Sequence, residues 1–248
     1  IPNGKYNDAI ALMDAGKLDE AYSAFIELGD YKDASEKAGD IKLQKTKDQL
    51  KNIKVGNYIN FGAYEQDNNT SNGREDIEWL VLAKDGTKIL VISKYALDCK
   101  PYNTSETDVT WETCTLRKWL NDDFISAAFS AEEKAMIPTV TVSADKNPDY
   151  STNPGNATQD QVFLLSIVEA NKYFSSKSAR MCESTDYAVA NGAWENDSGN
   201  CWWWLRSPGY SHLYADFVHH NGVISGYGDA VYNSNYAVRP ALWIDLNS

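Results

Sequence analysis

The chain has 248 residues, of which 43% are hydrophobic and 23% charged, proportions that are ordinary for folded proteins and exclude wholesale disorder. Its length accommodates one large domain, or one medium domain with a small appendage. The 23 basic and 35 acidic residues give a net charge of −12, so we do not expect nucleic-acid binding. No apolar stretch reaches the roughly 18 residues that cross a bilayer, so we do not expect membrane insertion.

The N-terminal residues 1–52 are predicted to be helical, because apolar side chains recur at helical spacing. Gly16 interrupts this pattern and separates two helices. A capping box of Asp33 and Glu36 then predicts a third helix from about residue 34 to residue 52. We therefore expect a small helical unit at 1–52, followed by a separate domain at 53–248.

Within this helical unit, small and large apolar residues stand at the packing positions of a tetratricopeptide repeat. They are Ala9, Leu12, Ala21, Phe25 and Leu28. Residues 1–29 therefore resemble one such repeat. One repeat cannot bury its own apolar face, so it must dock on the rest of the chain or continue an upstream array. A helical spacer and a protein-docking hairpin both stay open as roles.

From Val55 onward the pattern changes to the alternation that is typical of strands. Two apolar stretches at 77–82 and 88–93 are joined by Asp85-Gly86, a pair that tolerates the positive φ angles of a tight turn. This arrangement predicts a β-hairpin. A helical face is predicted at 116–124.

The middle of the chain combines capped helices with one long polar segment. Ser130 and Glu133 form a second capping box, which opens a short helix. Residues 143–161 are almost free of apolar side chains and are predicted to form a surface loop. A buried strand at 162–166 and helices at 167–174 and around 186–190 follow. Because single helices interrupt a majority of strands, the predicted class is α+β with a mainly antiparallel sheet.

The predicted loop contains alternating oxygen ligands at Asp145, Asn147 and Asp149, a spacing that suits calcium. Tyr150, however, stands where a calcium loop of the EF-hand type requires glycine for its turn. We therefore interpret the segment as a solvated turn and assign no metal to it.

The C-terminal stretch 202–248 is unusually aromatic and nearly uncharged. It contains 10 of the 30 aromatic residues of the chain and only five charged ones. The tyrosines are interleaved with Gly, Ser, Asn and His, a composition typical of recognition surfaces, where tyrosine supplies contact area with few rotatable bonds. Stiff apolar strands, predicted at 202–208 and 237–244, frame this polar stretch.

Five motifs that occur in one order carry a resemblance to a bacterial domain family of unknown function, over residues 55–246. They are Ile77-Glu-Trp-Leu-Val-Leu82, Leu116-Arg-Lys-Trp-Leu-Asn121, Phe163-Leu-Leu-Ser166, Trp204-Leu-Arg-Ser-Pro-Gly209 and Val238-Arg-Pro-Ala-Leu242. That family is similar to the C-type-lectin-like fold shared by formylglycine-generating enzymes and the variable proteins of diversity-generating retroelements.

The resemblance implies a binding face built from the irregular insertions near the C-terminal strands. The candidate ligand-binding residues are Tyr210, His212, Tyr214, Asp216, His219, Tyr227, Asp229, Tyr232, Asn233, Asn235 and Tyr236. Strict alternation places Trp203 on the opposite face of its strand from Trp202 and Trp204, so Trp203 is added as a candidate platform for a sugar or aromatic ring. Arg206 and Arg239 are instead expected to tie the sheet to a loop.

Four widely spaced cysteines lack the Cys-x-x-Cys pairs typical of structural zinc sites. They are Cys99, Cys114, Cys182 and Cys201. Free buried thiols and one disulfide both remain open in a chain of this size.

No catalytic residue, metal or other cofactor is assigned. A hydrolase of the Ser-His-Asp type requires a Gly-x-Ser-x-Gly elbow, which the sequence lacks. An oxidase similar to the formylglycine-generating enzymes requires two cysteines brought together, and no two are close in sequence. Residues 194–197 resemble the Trp-Asn-Asp element of calcium-dependent lectins, but Glu195 is inserted and no Glu-Pro-Asn partner exists.

We therefore expect a non-enzymatic ligand-binding domain that recognises a glycan or a protein at the bacterial cell surface. An enzyme on a fold like that of the formylglycine-generating enzymes is the alternative. The N-terminal helices would serve as a spacer or dock a protein partner. The expected location is extracytoplasmic, with an export signal or anchor upstream of Ile1.

Overall fold

The computed structural model of the chain describes residues 2–247 and divides into two compact units between Ile53 and Lys54. The first unit consists of three helices. They are α1 (Pro2–Asp14), α2 (Leu18–Leu28) and α3 (Ala34–Asn52). Gly16 lies in the turn between α1 and α2 with φ at +73°, a conformation that glycine adopts without steric cost.

The core of the helical unit is small because most of its buried positions are alanines. Its fully buried members are Ala9, Ala21, Phe25, Ala34, Ala38 and Ile41. The ring of Phe25 lies between the helices, and Tyr6 packs edge-on against it with ring centroids 6.0 Å apart. A single aromatic ring therefore fills the space that the small side chains leave.

The capping box predicted at the start of α3 does not form. Asp33 precedes the helix, but its side chain accepts no hydrogen bond from the first turn. It accepts one from the Tyr6 hydroxyl on α1 instead, and it pairs with Lys37 at 3.4 Å. A charge-assisted bond to a tertiary partner has replaced the local cap, so Asp33 connects α1 to α3.

The second unit is built on two five-stranded sheets and a short third one. The first sheet orders β1 (Tyr58–Tyr64), β2 (Glu75–Asp85), β3 (Lys88–Ser93), β12 (Ala241–Asp245) and β7 (Val162–Phe163). The second orders β10 (Asp229–Ala230), β9 (Tyr214–Val218), β8 (Trp203–Pro208), β11 (Ala237–Val238) and β4 (Asp98–Cys99). The third pairs β5 (Val140–Val142) with β6 (Thr158–Asp160). Neighbouring strands are antiparallel, except that β11 runs parallel to β8.

The helices of this unit are short. They are α4 (Thr115–Trp119), a π-helical turn (Leu120–Phe124), α5 (Ile125–Ala128), α6 (Ala131–Ala135), α7 (Ile167–Tyr173), α8 (Lys177–Arg180) and α9 (Asp186–Ala190). The first three run on without a break. With the antiparallel sheets, this arrangement confirms the predicted α+β class. No helix among residues 2–247 is long and apolar enough to cross a membrane.

Predictions that rest on local chemistry are confirmed in this unit. The hairpin closes at Asp85, which pairs with Lys88 across Gly86 at φ +59°. Both halves of the capping box at Ser130 and Glu133 form. The predicted loop at 143–161 is only partly irregular, because its last residues pair in β6.

Candidate ligand-binding face

Strands β8 and β9 of the second sheet carry a surface turn at 209–213 that is packed tightly against a second turn. Gly209 allows this contact, because a Cβ at that position would lie 2.4 Å from the carbonyl oxygen of Tyr227. The backbone N–H of Tyr210 donates to the same oxygen at 2.9 Å. The two turns therefore hold Tyr210 and Tyr227 side by side.

Four tyrosine rings meet at these turns, and we call Tyr150, Tyr210, Tyr214 and Tyr227 the tyrosine face. The rings of Tyr210 and Tyr227 stack with centroids 4.2 Å apart, and Tyr214 packs 4.4 Å from Tyr210. Tyr150 meets Tyr227 edge-on at 6.0 Å. Tyr227 is 48% exposed, Tyr210 38% and Tyr150 37%. The face is therefore an ordered aromatic surface open to solvent.

The hydroxyl groups of Tyr210, Tyr214 and Tyr227 interact with one another. The Tyr227 and Tyr214 hydroxyls donate to the Tyr210 oxygen, which lowers the pKa of Tyr210. The same hydrogen bond raises the pKa of Tyr227 to about 12 and raises that of Tyr214. The three hydroxyls are therefore linked electrostatically, and the Tyr227 phenol stays protonated around physiological pH.

Tyr150 comes from the predicted loop at 143–161 and was not among the predicted site residues. Its position depends on Asn147, a side chain only 3% exposed. The Asn147 amide nitrogen donates to the carbonyl oxygens of Pro208 at 2.8 Å and Gly226 at 2.7 Å. An asparagine in a polar stretch was the one sequence signal for this anchor. It did not indicate burial, because the partners of Asn147 are far away in sequence.

Asp216 was predicted to contact ligand, and the structure corrects this, because its side chain is buried below the face. One carboxyl oxygen accepts the backbone N–H groups of Phe217 at 2.7 Å and Gly226 at 3.1 Å. The other lies 3.4 Å from the Asn147 nitrogen, whose two hydrogens are taken by nearer carbonyls. Burial therefore outweighs the hydrogen bonds and raises the pKa of Asp216 to about 7.

Trp203 is also corrected, because it is fully buried and cannot be a surface platform. Its indole N–H donates to the Arg180 carbonyl at 3.1 Å, and the Arg239 guanidinium covers its ring at 5.1 Å. Trp204 on the opposite side packs on Tyr236 at 4.0 Å. Both faces of β8 are covered, which strand alternation alone does not predict.

Tyr236, Asp229 and Asn233 form a structural group rather than part of the exposed face. Tyr236 is 2% exposed, so its predicted ligand contact is corrected. Its hydroxyl donates to Asp229 at 2.6 Å, and the Asn233 amide donates to the same carboxylate at 3.2 Å. This carboxylate is therefore occupied within the fold.

The remaining predicted residues are divided between the face and its surroundings. Tyr232 is 47% exposed and close enough to Tyr214 to raise its pKa. His212 lies 2.8 Å from the carbonyl oxygen of Asn153, within the segment that carries Tyr150.

His219 and Asn235 are packed against residues other than the four rings. His219 packs 4.6 Å from Phe217, and burial lowers its pKa. Asn235 accepts the backbone N–H of Trp194 through its carbonyl, and its side-chain oxygen is buried without a partner in the described structure.

Arg206 has the predicted scaffold role. It is buried, pairs with Asp145 at 3.1 Å, and contacts Glu169 and the Leu164 carbonyl. Because Asp145 is held in this ion pair, it is not available as a calcium ligand, which its spacing from Asn147 and Asp149 suggested. Arg239 likewise binds backbone carbonyls, including that of Ser93 at 2.9 Å.

One group of acidic side chains among residues 2–247 has the spacing of metal ligands. Glu65, Asp67 and Glu75 bring carboxylate oxygens within 4.8 Å of one another beside the turn between β1 and β2. Backbone N–H groups of that turn already donate to all three, including Gln66 to Glu75 at 2.7 Å. These carboxylates therefore have a structural explanation.

A family model described as "Domain of unknown function (DUF6273)" matches residues 86–246. No curated protein and no solved structure matches the chain. The matched residues run from β3 to β12 and include all four rings of the tyrosine face.

Proposed function

This chain belongs to the DUF6273 family, and we propose that it is a non-enzymatic recognition domain whose tyrosine face binds a ligand. The observation that carries the proposal is the cluster of four packed tyrosine rings from two distant chain segments, three of them exposed and Tyr214 half-buried. Large exposed aromatic surfaces in folded domains mark interaction sites. Rings already fixed by packing against one another lose little conformational freedom on binding, so more of the contact energy is available for affinity.

The face favours a glycan as its ligand. The rings offer flat apolar surfaces, on which the C–H groups of a sugar can pack. Their hydroxyls can donate and accept hydrogen bonds, as the hydroxyls of a sugar do. The nearest candidate side chains at the margin, Tyr232 and His212, add polar groups without a fixed positive charge. A neutral saccharide therefore fits these groups better than an anionic ligand does.

The finer fold and the location belong to the same proposal. The sequence motifs support a C-type-lectin-like arrangement for residues 53–248, and a tetratricopeptide-like hairpin at 1–52 that docks a protein or acts as a spacer. A binding face of this kind suits a bacterial cell-surface protein. An enzyme on a fold similar to that of formylglycine-generating enzymes is the competing hypothesis, and a thiol-dependent turnover of many substrate molecules per chain, lost in Cys201→Ser, would favour it.

A glycan array tests the proposal directly. We expect Tyr227→Ala and Tyr210→Ala to lose roughly 2 kcal/mol of binding free energy, about a thirtyfold loss of affinity, as central aromatic contacts do. The melting temperature should change little because Tyr227 is half exposed. Tyr58→Ala, which removes a tyrosine of the same 48% exposure outside the face, is the matched control.

Two results would decide against the glycan. If the wild-type chain binds a displayed peptide or protein library and no saccharide, the ligand is a protein. If the double variant Tyr210→Ala/Tyr227→Ala keeps full capture on either array, the tyrosine face is not the binding site.

A further inference from the structure

Two of the four cysteines lie side by side in the core of the second unit. All four are free and buried. Cys182 and Cys201 flank the antiparallel bridge between Glu183 and Asn200, and the Cys201 N–H donates to the Cys182 carbonyl at 2.8 Å. The two residues are therefore directly opposite on adjacent segments.

This placement matches the requirements of a disulfide. Directly opposite residues of antiparallel segments have Cα atoms about 4.5–5.5 Å apart, and disulfides span Cα separations of about 4.4–6.8 Å. Cys182 and Cys201 can therefore be joined by rotation of their side chains, without a backbone rearrangement.

A cavity of about 470 Å³ lies against Cys182, one of the two cysteines, which is itself 2% exposed. Its lining includes Cys182, Lys94, Glu183, Asn200 and Arg239. The Cys182 sulfur lies 3.5 Å from the carbonyl oxygens of Lys94 and Glu183, which both contribute to the wall. The volume is that of a small-molecule site, and the wall carries side chains of both charge signs.

The electrostatic surroundings distinguish the two sulfurs. Burial alone would raise the pKa of Cys182, but the hydrogen bond from the Cys201 thiol and the nearby Arg239 guanidinium lower it overall. Burial and the donated hydrogen bond raise the pKa of Cys201. Burial raises the pKa of Cys99 and of Cys114 to about 12. Cys182 is thus the thiol best suited to attack, because the thiolate is the nucleophile.

We propose that Cys182 and Cys201 form a thiol–disulfide exchange site, which accepts from this cavity a low-molecular-weight disulfide that carries ammonium and carboxylate groups. This activity goes beyond ligand capture at the tyrosine face and does not depend on it. The Lys94 ammonium, which also pairs with Glu78 at 2.6 Å, and the exposed Glu183 carboxylate supply the complementary charges.

The reaction proceeds in two balanced steps. The Cys182 thiolate attacks one sulfur of the small disulfide, so a mixed disulfide forms and a small thiolate leaves with the proton that Cys182 gave up. Cys201 then loses its proton to the second leaving thiolate and attacks the Cys182 sulfur. The protein dithiol is oxidised by two electrons, and the small disulfide is reduced to two thiols.

Oxidised glutathione is the probe, applied to the native full chain, with peptide mapping after alkylation at low pH. We expect loss of two of the four titratable thiols and a linked Cys182–Cys201 peptide. Cys201→Ser should stop at a mixed disulfide on Cys182, and Cys182→Ser should give no adduct. Cys114→Ser, which removes a buried thiol outside the pair, should behave as the wild type does.

The wild-type chain alone keeps the proposal falsifiable if a serine variant fails to fold. Retention of all four thiols in native protein, while the unfolded chain reacts, would overturn it. Adducts on Cys99 or Cys114 as rapid as that on Cys182 would do the same. Equal rates with uncharged bis(2-hydroxyethyl) disulfide would overturn the assigned charge of the ligand.

Discussion

Replacing Asp216 by asparagine removes the titration of one buried carboxyl and keeps an oxygen that can accept the Phe217 and Gly226 N–H groups. In the folded chain the pKa of Asp216 is about 7, against 3.8 in the absence of burial. The folded state therefore binds a proton more tightly than the unfolded state does. The contribution of Asp216 to the free energy of unfolding is fully present below pH 3.8 and is lost as pH rises through about 7.

The magnitude follows from the size of that difference. About three pKa units, at roughly 1.36 kcal/mol each, correspond to a stability change of about 4 kcal/mol for this one group. As pH rises from 3.8 to about 7, the free energy of unfolding of the wild type should fall by this amount relative to that of Asp216→Asn. At about pH 8 the variant should consequently be the more stable protein, by up to about 4 kcal/mol, and by much less at about pH 4.

Urea unfolding followed by tryptophan fluorescence, repeated across this pH range, measures the effect as a difference between two proteins, so other carboxyls cancel. Asp197→Asn removes the same charge from an exposed loop. Its free energy of unfolding should stay close to that of the wild type throughout the pH range. Parallel stability curves for wild type and Asp216→Asn would refute the reasoning and show that the carboxyl is hydrated in the folded state.

Three further substitutions test the support of the face and the core. Asn147→Ala should cost about 2–5 kcal/mol, because two buried carbonyls lose their donor, and it should also weaken ligand capture by releasing Tyr150; unchanged urea midpoints would contradict this. Arg206→Met should cost about 3–5 kcal/mol, since the Asp145 and Glu169 carboxylates lose the guanidinium that pairs with both, and calorimetry measures the loss. Gly209→Ala should reduce affinity more than stability, because the new Cβ separates the turn from Tyr227; unaltered affinity in titration calorimetry would show that the two turns are not coupled.

The parts of the fold that sequence predicted correctly depend on interactions between near neighbours. Asp85-Gly86 specifies its own turn geometry, and Ser130 finds its partner three residues later. Asp33 and Glu36 carry the same local signal, but the Asp33 carboxylate accepts a hydrogen bond from the Tyr6 hydroxyl and does not cap the helix. Short-range signals therefore fail where a tertiary hydrogen-bond donor is available.

The candidate site could be predicted only in part, for a similar reason. The aromatic composition of 209–236 located the segment that carries most of the exposed rings. It could not separate Tyr227, which faces solvent, from Tyr236, which packs on Trp204, because both stand in the same polar context. Tyr150 was missed because its place is set by Asn147, whose hydrogen-bond partners come from turns far along the chain.

The order of strands in the first sheet has a consequence for folding during synthesis on the ribosome. The strand β12, from Ala241 to Asp245, is inserted between β3 and β7 and pairs with Ile89 through Ile92. The hairpin of β2 and β3 is synthesised about 150 residues earlier and must wait with an open apolar edge until that strand emerges. Contacts this distant in sequence slow folding. The nascent hairpin is therefore the stretch that most needs protection from aggregation.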